Sequence, residues 1–339
     1  LDLQYDIRRQ PHTCIRKSSY ICLEKNIINI KIKFAFLSFI FLALGASSMQ
    51  LVLDRGQILD WFSSDLIFNL TLSAVIFLFL YFLMYFTKSK TLYPKELFFD
   101  KNYIGGLIFV FLFGLLLVPP FILMPDFLAS IGGYPIDKIG IILTTSGIGG
   151  MTGTLIASRL LSYGYYKSLM IVGLLTYMIG QFYMTLWNSD VTMNMMMING
   201  IIRGLGIGLF YPALATATYV SLPSKFRDHG ASLFQFIRNL GSAVAIAIIV
   251  ILMDRFYKTN MSELSYRVTD NYNQNEGLFN NYNIYPLNMN NTNFFINLIS
   301  QESHLISFIN IMFILTFLPL IFFPFFLLFK SKAKETYEK

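Results

Sequence analysis

The sequence predicts an all-α, polytopic membrane protein with eight transmembrane helices. Composition is the first reason. Of 339 residues, 55% are hydrophobic and 17% aromatic. Only 13% are charged, about half the share in a typical soluble domain. The mean hydropathy of +0.56 is the second reason, because a globule of this size cannot hide so much apolar side chain from water. The third is patterning: the apolar residues fall in runs of roughly 20, enough to cross about 30 Å of hydrocarbon. In lipid the backbone must satisfy its own hydrogen bonds, and the runs are too long and too uniformly apolar for barrel strands, so each is read as a helix. A soluble enzyme, a disordered chain and a disulfide scaffold are excluded.

Residues 1–33 form a basic lead with Arg8, Arg9, Arg16, Lys17, Lys25, Lys31 and Lys33. The first span is expected at 34–53, and a polar turn at 54–65 leads to the second at 66–87. A basic loop separates it from the third, at 103–125, which holds Pro119, Pro120 and Pro125. The fourth, at 138–158, is rich in Gly and Thr; the fifth follows at 168–187 and the sixth at 194–220. The loop LPSKFRDHG precedes the seventh at 230–253. An Asn-rich polar segment, 254–303, is expected as a loop before the eighth span at 304–329 and a short tail, 331–339.

The net charge of +7 would suggest nucleic acid in a soluble protein. Here the basic residues lie between apolar runs and report topology instead. With both ends placed in the cytoplasm, 19 Lys and Arg fall on that side and five on the other, so loop 254–303 is expected outside. Cys14 and Cys22 form no C-x-x-C pair, and three scattered histidines suggest no metal cluster. Walker, zincin, nucleophile-elbow and dinucleotide motifs are missing from the sequence, so neither a cofactor nor catalysis is expected.

Two arginines are not explained by topology. Arg203 and Arg238 lie inside apolar runs, where a cation costs at least ~2.5–3.5 kcal/mol and needs a partner or a wet cavity. Asn199 shares the face of Arg203 one turn before it, and Gln235 shares the face of Arg238, with Asn239 beside it. Together with the aromatic Phe210 and Tyr211, these residues are the candidate lining of a solute cavity. Gly149 and Gly153, and then Gly200, Gly204 and Gly208, make G-x-x-x-G patterns, which let helices approach closely.

The segment LALGASSMQLVLDRGQILDWFSSDLI, residues 42–67, resembles the linker region of the EmrB/QacA-type drug:proton antiporters with 14 spans, a branch of the major facilitator superfamily. Asp54, Arg55, Gly56, Asp60 and Trp61 carry that likeness. Residues 222–248, LPSKFRDHGASLFQFIRNLGSAVAIAI, and 203–214, RGLGIGLFYPAL, are similar to landmarks of the same family, with Ala245 where a glycine is usual and Asn310 where an acid is common.

The resemblance implies a partial major-facilitator fold. Residues 34–102 would be two linker helices, and 103–330 the C-terminal six-helix bundle with 254–303 as its periplasmic loop. The family's N-terminal six-helix bundle, with its antiporter motif and coupling acids, would be absent from this stretch of sequence. By resemblance, the whole exports lipophilic drugs or toxic compounds against protons by alternating access. It sits in the bacterial inner membrane among lipid, with a periplasmic adaptor and an outer-membrane channel as further partners. The alternatives from the residues themselves are a truncated, non-transporting remnant or a membrane scaffold acting through 254–303.

Overall fold

The computed structural model describes residues 35–87, 92–188, 191–274 and 289–322, without the side chains of 269–294. The basic lead, the tail and the end of the eighth expected span lie outside the described residues. Eight long helices follow one another: α1 (Phe36–Arg55), α2 (Asp65–Thr87), α3 (Lys101–Ser130), α4 (Ile136–Leu161), α5 (Tyr166–Met184), α6 (Met193–Tyr219), α7 (Arg227–Gln274) and α8 (Met289–Phe317). Short 3₁₀ turns lie between them, and no described residue is in a strand.

Seven of these helical stretches are long and apolar enough to cross a membrane; α5 is the one left out. Its 19 residues include Lys167, Tyr177 and Gln181, polar groups that depress its hydropathy. The helix is held by protein contact instead, with Gln181 and Met184 both completely buried.

The segment 254–303, expected as one polar loop, is corrected by the structure. α7 continues through it to Gln274, and α8 begins at Met289. Residues 254–274 contain neither Gly nor Pro. Exposed ion pairs at i,i+4 join Lys258 to Asp254 at 2.8 Å and Arg267 to Glu263 at 2.5 Å, each worth a few tenths of a kcal/mol to a helix. Hydropathy marks where an apolar run stops, and a polar helix can continue past that point.

Helix ends follow local chemistry. The Asp100 carboxylate caps α3, accepting from the backbone N–H of Asn102 at 2.8 Å and of Tyr103 at 3.3 Å. Gly164, at φ +81°, supplies the left-handed residue of the turn between α4 and α5. Pro319 lies where α8 gives way to a 3₁₀ turn, since it has no N–H to extend the α ladder.

The packing is built on helix pairs. α4 and α6 run parallel along a seam of small residues. A β-carbon on Gly153 would lie 2.7 Å from the Leu205 carbonyl oxygen, and Gly149, Gly200, Gly204 and Gly208 each face backbone or a threonine hydroxyl at closer range. α5 packs antiparallel on the other side of α6, where Gly173 faces Phe210 and Gly180 faces Arg203. α3 runs parallel to α7: the Tyr103 hydroxyl donates to the Gly230 carbonyl at 2.8 Å, and farther along Gly114 meets the backbone at Arg238 and Ser242. α1 and α2 form a peripheral hairpin whose apolar windows are 22% and 17% buried, against 56% for α3 and α6. The central helices are therefore α3 and α6, and α1 and α2 turn most of their surface toward lipid.

Both central helices contain proline. Pro120 in α3 and Pro212 in α6 lack the N–H that would serve the carbonyls four residues earlier, Leu116 and Gly208. At Leu116 a side chain of a neighbouring helix replaces it: the Tyr177 hydroxyl of α5 donates to that carbonyl at 2.6 Å. This is how proline is tolerated inside a membrane bundle. The Thr154 hydroxyl of α4 donates within its own helix to the Gly150 carbonyl at 2.8 Å and stands 3.5 Å from the Gly208 carbonyl.

Two outcomes follow. Gly204→Ala should destabilise the chain by about 1–3 kcal/mol, because backbone cannot yield to the new methyl. Gly147→Ala, whose added carbon meets nothing within 4 Å, should gain up to about 1 kcal/mol of helix propensity. Thermal unfolding in one detergent checks the opposite signs. Tyr177→Phe should cost about 1–3 kcal/mol by orphaning a buried carbonyl. In a Pro120→Ala background, where a restored backbone N–H serves Leu116, the same change should cost far less. A double-mutant cycle without this coupling would refute the repair.

Candidate substrate-facing site

The linker turn is a compact local structure. α1 ends at Arg55, and the Gly56 N–H closes on the Val52 carbonyl at 2.8 Å. The chain then folds back so that the Trp61 ring would touch a β-carbon at Gly56 at 2.8 Å, and the indole N–H donates to Gln57 Oε1 at 2.9 Å. Asp60 and Trp61 hold φ of 51° and 53°, a left-handed conformation that costs non-glycine residues of order 1–3 kcal/mol each. Gly56 and Trp61 therefore act together as a stop that turns α1 into α2. Arg55 and Asp60 make no ion pair among the described residues.

The seven residues predicted to line one cavity divide into two groups. Tyr211, Gln235, Arg238 and Asn239 form an open polar face where α6 and α7 meet. The Tyr211 hydroxyl donates to Gln235 Oε1 at 2.9 Å, the Arg238 guanidinium carbon stands 5.4 Å from the centre of the Tyr211 ring, and Arg238 Nη2 donates to Asn239 Oδ1 at 3.3 Å. Gln235 and Asn239 are exposed, and Arg238 and Tyr211 are half-buried. The cation rests on a ring face and an amide, contacts suited to a charge that must remain near an apolar environment without an acid beside it.

Aromatic rings support this face from behind. Phe113 of α3 lies 5.5 Å from Tyr211 and 5.2 Å from the buried Phe210, and Phe234 packs 6.1 Å from Tyr211. Phe210 thus belongs to the layer beneath the site. Asn239 also borders a cavity of about 270 Å³ between α1 and α7, whose polar lining includes Ser47 and Gln50 and whose apolar lining includes Leu42 and Phe236. Ser47 and Gln50 were legible in the sequence as polar residues three apart within an apolar run, but the spacing alone does not show that they face α7.

Arg203 and Asn199 lie elsewhere, sealed inside the bundle at 2% and 1% exposure. Arg203 Nη1 approaches the Met184 thioether at 3.3 Å, and its guanidinium carbon stands 5.8 Å from the Phe121 ring centre. Neither residue presents surface to a solute in this conformation. The helical wheel placed Asn199 and Arg203 on one face of α6 correctly, but could not show that this face is covered by α5. Sequence reasoning also missed Gln181 and Tyr177, both visible as polar residues in an apolar run. No group of three or more His, Cys, Asp or Glu side chains among the described residues could hold a metal ion.

Comparison with known proteins adds relatives. Residues 104–269 match the family described as "Sugar (and other) transporter". The chain is 26% identical over 232 residues to the probable multidrug resistance protein EmrY of Escherichia coli, covering 66% of this chain and 44% of that protein. It is 25% identical over 213 residues to the multidrug export protein EmrB of Haemophilus influenzae, covering 62% of this chain and 41% of that one. The chain therefore spans less than half the length of these relatives. A crystal structure of a bacterial homolog of the human lysosomal transporter Spinster, inward-facing and occupied, superposes with a TM-score of 0.49 at 12% identity, covering 85% of this chain and 66% of that one. In its bundle and its linker motif the chain is thus similar to EmrB-type members of the major facilitator superfamily.

Proposed function

We propose that this chain is the linker and C-terminal portion of a proton-coupled exporter of lipophilic compounds, working by alternating access in the bacterial inner membrane with both chain ends in the cytoplasm. The observation that carries this is the open Arg238–Tyr211–Gln235–Asn239 face on an otherwise apolar bundle. A charged residue within a membrane span marks a substrate or ion path by default, and transporter sites lie where two bundles meet near mid-membrane. The relatives' names, multidrug export and multidrug resistance, agree with lipophilic substrates.

On this reading, a second six-helix bundle closes over the face and supplies the proton-coupling acid. The proposal assigns it there because α5 and α6 contain no Asp or Glu, Asp126 and Asp137 of α3 and α4 sit near helix ends, and Glu302 of α8 lies in the first third of the apolar stretch 295–321. Lipophilic compounds, protons and membrane lipid are then the working partners, with a periplasmic adaptor and an outer-membrane channel completing the path. The fixed charge of Arg238 favours weak acids and neutral compounds over cations, since like charge across a desolvated contact is repulsive. The glycine seam of α4 and α6 serves close packing and, during rocking, a sliding contact.

The test is export by the whole transporter in everted vesicles at matched expression. Arg238→Ala should slow export of a lipophilic weak acid roughly 5–30-fold, the factor that corresponds to 1–2 kcal/mol. Tyr211→Phe keeps the ring under the cation and loses only the bond to Gln235, so its effect should be smaller. Unchanged export in Arg238→Ala would remove the site from the mechanism. Export that dissipating the proton gradient does not slow would remove the coupling.

A further inference from the structure

Eight buried side-chain polar atoms among the described residues have no hydrogen-bond partner, and five of them belong to Gln181, Asn199 and Arg203 of α5 and α6 and to Trp187 just beyond α5; three of the five, Trp187 Nε1, Asn199 Nδ2 and Arg203 Nε, are donors. Native interiors leave few such atoms, so their concentration here requires an explanation. Arg203 is 2% exposed and forms neither of the ion pairs found among the described residues, both of which lie on the exposed extension of α7. The best donors in the region meet sulfur. Arg203 Nη1 is 3.3 Å from Met184 Sδ, and Gln181 Nε2 is 3.5 Å from Met312 Sδ. A thioether is a weak acceptor and a methionine side chain is easily displaced. Here a guanidinium and one amide are held by the groups least able to satisfy them and most able to move aside, and the Asn199 amide is held by none.

We propose that Arg203, Asn199 and Gln181, with the Trp187 indole N–H at the end of α5, form a binding site for a single-charged anion inside the bundle. One guanidinium neutralises one negative charge; a dianion would leave a net charge in low dielectric. The Arg203 Nε–H, the Asn199 amide and the Trp187 N–H are donors for it, and the methionines give way as it enters. Two sources share this chemistry: a halide from solution, and the carboxylate head of an amphipath from the bilayer. Phe121, whose ring lies beside the guanidinium and is 43% exposed, stands at the bundle surface next to the site. The site is distinct from the Arg238 face and does not depend on the transport reading.

The experiment uses the full chain in nanodiscs, in a sulfate buffer, with thermal unfolding followed during separate titrations of chloride and decanoate. A saturable rise of ~5 °C is expected with the anion that binds. A rise with chloride alone assigns the site to a solution halide, and a rise with decanoate alone assigns it to an amphipath; a rise with both supports the site for either source. Arg203→Gln should abolish the rise and, without either anion, unfold no earlier than the native chain, since an uncompensated buried charge has been removed. If neither anion gives a saturable rise, or if Arg203→Gln keeps it, the site does not exist. A second readout needs no change to the site. With Trp61→Phe, Trp187 is the remaining tryptophan of the two in the chain, and its quenching by bromide or brominated decanoate should saturate. Strictly linear quenching by both would overturn the proposal even if Arg203→Gln failed to fold.

Discussion

The constraint on which the rest of this structure depends is that no backbone group can be left unpaired in lipid. Where the helices are regular the rule is met within each helix. Where Pro120 interrupts α3, it is met between helices, by Tyr177 on the Leu116 carbonyl. That bond does more than repair a ladder: it ties α5 to α3 at one point along their length. A proline without such a partner would leave a carbonyl unpaired in hydrocarbon at a cost of several kcal/mol, so proline and neighbour are coupled.

The glycine seams follow from the same constraint. The hydrophobic effect does not drive helices together inside lipid, so association rests on close contact and a few polar bonds. The backbones of α4 and α6 approach so closely that added β-carbons would lie in van der Waals conflict along the seam. Larger residues on the seam would therefore lose the dispersion contact. α1 and α2, with little buried surface and one tight turn around Gly56 and Trp61, form a hairpin that can pack against α7 without sharing this network.

The sequence alone located all eight helices because long apolar runs bounded by charge are a strong signal. It failed where that signal is weak. The polar extension of α7 is helical because of ion pairs and an absence of breakers, and hydropathy is blind to both. The G-x-x-x-G patterns were legible as close-packing faces, but Gly173, spaced outside such a pattern at the α5–α6 contact, was not. Of the candidate site, Gln235, Arg238 and Asn239 lie together as their spacing suggested, since one turn of α7 carries all three, whereas the approach of Tyr211 from α6 depends on helix packing. Arg203 was identified as anomalous without its setting being legible, because burial under α5 depends on tertiary packing that helical periodicity cannot supply.

The two membrane arginines then separate by what surrounds them. Arg238 lies at an open face, over a ring and against an amide, so its charge is available to whatever approaches. Arg203 lies under α5 among thioethers and orphaned amides, where its charge is strongly felt and poorly answered. In a medium of low dielectric the unanswered charge has the larger reach, so the buried arginine dominates the field inside the bundle even though the other is the more accessible. A bundle with a fixed positive centre at α5 and α6 resists a second cation in its interior and draws negative charge toward it. A negative group that reaches the interior is thus answered from within the core, by a residue that lies apart from the open face.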